Sequence, residues 1–60
     1  MRFKLQYSED PQQPYYFEIQ ASGNSKTLAT SETYISKFDA EHAIDLIRGQ
    51  AASASVIDET

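Results

Sequence analysis

The sequence predicts an α+β domain of order β-β-β-α-β, with one antiparallel sheet covered by one helix and a short strand at the C-terminal end. Three observations predict it. Apolar and polar residues alternate with period two over 1–7 and again over 15–21, a glycine-containing turn follows, and Ser36 to Ala51 carries a helical period with a start and a stop.

The first strand places Phe3, Leu5 and Tyr7 on one face and Arg2, Lys4 and Gln6 on the other. Ser8 to Pro14 breaks the pattern, because Pro11 and Pro14 have no amide to give a ladder. Tyr15 to Ala21 resumes the alternation, with Tyr15, Phe17, Ile19 and Ala21 inward and Tyr16, Glu18 and Gln20 outward. Ser22-Gly23-Asn24-Ser25 reads as a turn, since Gly and Asn accept positive φ. Lys26 to Glu32 is then a third strand, expected to point Leu28 inward and Thr27, Ala29 and Ser31 outward.

Ser36 and Asp39 form a capping box of the S-x-x-D kind, flanked by Ile35 and Ala40 as a small staple. At about 100° per residue, Ala40, Ala43, Ile44, Ile47 and Ala51 share one stripe, the pattern of a helix resting on a sheet. Arg48 suits the negative end of the helix dipole, and Gly49 is expected to stop the helix. A second stripe, Phe38, His42 and Leu46, recurs every four residues on the opposite side. One sheet cannot bury both stripes, so the second is covered by another part of the chain, left exposed, or buried by a second copy or another protein. Val56-Ile57 is a pair of strong β-formers, too short to be stable without an edge to join, whether of its own chain or a neighbour's.

Sixty residues allow one domain spanning 1–60, and a chain of this size buries only about 60% of the surface its unfolded form exposes. There is no cysteine and no clustered His/Cys set, so neither a disulfide nor a structural zinc supplies the missing stability. Oligomerisation is the remaining common remedy. No apolar run reaches membrane-span length and MRFKLQYSED has no signal-peptide h-region, so a cytoplasmic location is expected. Nine acidic against five basic residues give a net charge of −4, which repels phosphate backbones. A nucleic-acid reading would rest on Arg2, Lys4, Tyr16 and Lys26 across the outer sheet face.

With these elements in place, the sequence resembles the repeat unit of the YegP-like family, small proteins classed as a domain of unknown function. Phe17, Ile19 and Ala21 match the family's F-x-Φ-x-A strand, Ser31, Glu32, Tyr34, Ser36 and Lys37 match its S-E-x-Y-x-S-K run, and Ala43-Ile44 matches the helix centre. The turn departs from the family's Asn-Gly, and Phe38, His42 and Leu46 stand where small or polar residues are common. Many members hold two such repeats in tandem. The resemblance therefore implies that two copies of this single-repeat chain supply together what two repeats supply elsewhere. It brings no activity, cofactor or substrate.

The residues themselves argue against catalysis. His42 has only Glu41 and Asp45 near it in sequence, and no serine sits in a nucleophile-elbow setting. Glu41 and Asp45, one turn apart on an outer face, read as solvated carboxylates rather than a metal pair. Tyr34 is assigned to the corner between the third strand and the helix, and Tyr16 to contact on the outer face. The expectation is a small acidic homodimeric interaction or structural module with no enzyme activity, cofactor or metal, whose contact residues are Phe38, His42, Leu46 and Tyr16. Nucleic-acid binding by the outer sheet face is the alternative function, and a strand-adding peptide at the third strand's edge is a further one.

Overall fold

The computed structural model describes residues 1–24 and 26–60. Three strands, β1 (Arg2–Tyr7), β2 (Tyr15–Gln20) and β3 (Thr27–Thr30), precede one helix, α1 (Lys37–Gln50), and a 3₁₀ turn at Ala51–Ser53. The sheet is an antiparallel meander of order β1-β2-β3.

Between β1 and β2 the alternation read from sequence becomes register: Phe3 faces Ile19, Leu5 faces Phe17 and Tyr7 faces Tyr15. Directly paired residues share a face, so these three pairs form the inner face. Rings reinforce it, with Phe3 tilted against Phe17 at 6.1 Å and Tyr7 edge-on to Tyr15 at 5.2 Å. Lys4 opposite Glu18 and Gln6 opposite Tyr16 form the outer face. There Gln20 is buried, and its side-chain oxygen accepts from Arg2 Nε at 2.8 Å.

The third strand differs from expectation in length and facing. The ladder slips between Ile19 and Gln20, leaving Ala29 opposite Ile19 and Thr27 opposite Gln20. Ala29, not Leu28, therefore shares the inner face with Ile19, and Leu28 is the extra residue of a bulge, exposed. The turn before it keeps the expected register. Gly23 adopts φ 86 and the Asn24 side chain accepts from the Lys26 amide, while Ala21 donates to the Lys26 carbonyl at 2.8 Å. Carried on, that register would bring Leu28 opposite Ile19, so it is the one-residue bulge that reverses the parity of every later residue. Ser25 of the expected turn lies outside the described residues.

The run after β3 is held by side chains and one bridge. Ser31 donates its amide to the Phe17 carbonyl at 2.9 Å while its hydroxyl accepts from the Phe17 amide at 2.9 Å. Three residues on, Tyr34 exchanges both backbone bonds with Tyr15, at 2.7 and 3.2 Å. Ser36 then caps the helix, its hydroxyl accepting from the Asp39 amide at 3.1 Å. Three members of the S-E-x-Y-x-S-K run thus each satisfy backbone groups that a departing strand or a starting helix would leave open.

The helix begins where the capping box places it but runs through Gly49 to Gln50. Glycine ends a helix when it takes left-handed geometry, and Gly23 alone among the described glycines has positive φ. The helix touches β2 and β1 and, among the described residues, makes no contact with β3. Ala40 is fully covered at 0% exposure and Phe17 nearly so at 3%, while no large side chain is fully buried among the described residues. Ala43, Ile44 and Ile47 are half-buried.

The short strand expected at Val56–Ile57 is not formed within the chain. Residues 54–60 are irregular, with Ala54 extended at φ −68, ψ 136. Val56 and Ile57 are 94% and 81% exposed. A two-residue β-former acquires strand structure only from a neighbouring edge, and none lies beside it here.

Candidate interaction surfaces

Several surfaces are open among the described residues, and three of them follow from how the elements above are placed. On the helix, Phe38 is 74% and Leu46 49% exposed, and the Phe38 ring stacks on His42 at 6.5 Å with planes 9° apart. The tail does not fold over them. At the end of the same stripe a shallow apolar depression is lined by Leu46, Ile47, Gln50, Ala51 and Ala54. Ile35, just before the helix cap, is exposed as well.

The second surface is the open edge of β1. Tyr15 spends its backbone on Tyr34, and Phe17 gives its carbonyl to Ser31, so odd-numbered residues of β2 bond toward β3. Even-numbered residues of β2 therefore bond toward β1, in agreement with Ser8 donating to Pro14 at 2.7 Å just beyond the strand end. On β1 this leaves Phe3, Leu5 and Tyr7 with N–H and C=O directed away from β2. Above that edge a groove runs between β1 and the helix, floored by Phe3, Leu5 and Ile44 and rimmed by Glu41, Asp45 and Arg48. Arg48 and Asp45 are 4.0 Å apart at the rim and both well exposed.

The third surface is the tail itself, apolar at Val56-Ile57 and acidic at Asp58-Glu59. Thr60 donates to Asp58 from both its amide and its hydroxyl, which holds the Asp58 carboxyl below its ordinary value.

The structure brings Phe38, His42 and Leu46 together on one exposed stripe, but it sets Tyr16 apart from them. Tyr16 pairs with Gln6 on the outer sheet face, whereas the helix crosses the inner one. The four residues expected to touch a partner do not form one surface. On the outer face Arg2 is engaged with Gln20 and Lys4 lies opposite Glu18. Among the described residues no cluster of His, Cys, Asp and Glu could hold a metal ion, and no helix is long and apolar enough to cross a membrane. Sequence reasoning missed the β1 groove, because its floor joins residues more than 35 positions apart and its existence depends on where the helix lies.

Residues 12–58 match the family described as a domain of unknown function, DUF1508. The chain belongs to this YegP-like family. It is similar to the UPF0339 protein Atu0232 of Agrobacterium fabrum, with 36% identity over 58 residues, covering 97% of this chain and 92% of that protein. No solved structure matches it. The family match extends to residue 58, so the Val56-Ile57 tail falls within the matched domain. Neither comparison indicates a specific function.

Proposed function

We propose that this YegP-like chain is a non-enzymatic interaction module that works as a homodimer. The observation that carries this is an excess of surface. A folded monomer of 6.8 kDa exposes about 3,950 Å², whereas this chain exposes 4912 Å². The difference, roughly 950 Å², is close to what one partner contributes to a standard protein interface. Its radius of gyration, 12.8 Å, likewise exceeds the roughly 10.4 Å of a compact chain of this length.

The excess is apolar where it matters. Phe38 and Leu46 on the helix and Val56 and Ile57 on the tail are exposed, while among the described residues the core holds only Phe17 and Ala40 as buried apolar residues. In the dimer the second copy covers the Phe38, His42 and Leu46 stripe, the tail gains the strand geometry it lacks alone, and the helix closes down on the sheet. The shallow, open grooves, with no set of the described residues poised for acid–base or nucleophilic work, favour binding over catalysis.

Sedimentation equilibrium across a dilution series tests the reading. A mass of two chains at micromolar concentration, falling to 6.8 kDa on dilution, is the expected result. A single-chain mass throughout overturns it.

A further inference from the structure

We propose that Leu5, Tyr7, Tyr15 and Lys37 form a binding site for a small aromatic carboxylate, its ring against the two tyrosines and its carboxylate on the Lys37 ammonium. The site is complete within one chain. It goes beyond the dimer reading, since none of these residues belongs to the Phe38, His42 and Leu46 stripe or to the tail.

The first observation is the shape. Where the helix starts above the sheet, Leu5, Gln6, Tyr7, Tyr15 and Lys37 line a depression of about 500 Å³, a size typical of small-molecule sites. Tyr7 and Tyr15 are paired across the β1–β2 ladder, their rings edge-on at 5.2 Å. Tyr7 is 71% exposed, so one ring of the pair keeps most of its surface open. Rings favour edge-to-face and offset contacts with other rings, and a flat, rigid body loses less rotamer freedom on docking than a flexible chain. Both effects select an aromatic occupant.

The second is Lys37, which the fold does not use. Ser31, Tyr34 and Ser36 of the same run are spent on backbone bonds. Lys37 opens the helix, where a cation meets the positive end of the dipole and is disfavoured. Among the described residues its ammonium has no hydrogen-bond, ion-pair or ring partner, and Glu41 one turn on is not in ion-pair contact with it. Its place is nevertheless fixed. The two-bond bridge between Tyr34 and Tyr15 ends three residues before it, which ties the helix start to the tyrosine pair.

The third is charge. The chain carries −4, and its neighbouring depressions are acidic: Glu41 and Asp45 against Arg48 in the groove over Phe3, Glu32 and Asp39 beside Tyr34. Beside Tyr7 and Tyr15 the charged lining residue is a lysine alone. An anion is favoured here and disfavoured in those two. One ammonium, a point charge with no guanidinium fork beside it, matches a single negative charge such as a carboxylate.

Amide NMR titration with 2-naphthoate tests the site, with 2-naphthalenemethanol as the uncharged control and octanoate as the flexible one. Saturable shifts are expected at Leu5, Tyr7, Tyr15 and Lys37, with a dissociation constant at least about tenfold below that of either control. Lys37→Gln should raise the 2-naphthoate constant about tenfold and leave that of 2-naphthalenemethanol unchanged. Its Tm should stay equal or rise, because a disfavoured cation has left the helix start. Tyr7→Ala should weaken both aromatic probes alike. Any of four results overturns the proposal: 2-naphthoate binding no tighter than the alcohol, binding indifferent to Lys37→Gln, octanoate binding as tightly, or shifts absent or centred instead on Phe3, Ile44 and Arg48.

Discussion

The Tyr34 ring stacks on Phe17, centroids 6.2 Å apart and planes 11° from parallel, while its backbone closes a two-bond bridge to Tyr15. One residue therefore roofs the most buried side chain of the sheet and fixes the corner from which the helix departs. Tyr34→Ala uncovers Phe17 and should cost about 2 kcal/mol. Chemical denaturation should report it as a lower midpoint with an unchanged slope; an unaltered midpoint would show that the bridge alone holds the corner.

Ser36→Ala removes the acceptor for the Asp39 amide at the helix start. The expected loss is about 1 kcal/mol, which for a chain this small lowers Tm by about 4–8 °C. Ser36→Asp should recover most of it, because a carboxylate at that position also accepts from the amide and favours the positive end of the dipole. Thermal melts at one fixed protein concentration make the comparison, since self-association would make Tm depend on concentration.

Gly23 has room around it, with nothing near an added methyl, so only its φ of 86 resists substitution. Gly23→Ala should therefore destabilise by about 1 kcal/mol. Gly49, which is helical and equally uncrowded, should respond oppositely, with Gly49→Ala stabilising by up to about 1 kcal/mol. Equal signs for the two in urea unfolding would contradict the helix continuing through Gly49.

Phe38→Ala and Leu46→Ala delete the exposed members of the helix stripe. Each should weaken self-association by about tenfold while far-ultraviolet circular dichroism stays the same. Analytical ultracentrifugation reads the first and spectroscopy the second. Association unaffected by both substitutions would take the stripe out of the interface.

The helix was legible at its start and along its length because those signals are local: a capping pair three residues apart and a stripe repeating over four turns. β1 and β2 were legible for the same reason. Ala29 and Leu28 were not, since which of them shares the inner face depends on a one-residue bulge after Thr27 that no local pattern marks, and Leu28 is simply the larger apolar residue. Gly49 misled because composition marks where a stop is permitted, while the backbone angle decides whether it is used. Val56 and Ile57 show the limit most clearly: their propensity is plain, but strand formation belongs to a pair of segments, and propensity names only one of them. Of the expected contact residues, the helical three could be grouped by period, whereas Tyr16 needed the sheet's register to be assigned its side.

The helix lies over β1 and β2 and leaves β3 uncovered, so the molecule has a hard flank and a soft one. Openings that release Thr27–Thr30 break one ladder and disturb no helical packing, whereas those that release β2 dismantle everything at once. Fluctuations of the lone protomer should thus begin at its third strand, and the side that holds its shape is the side that has an edge to offer.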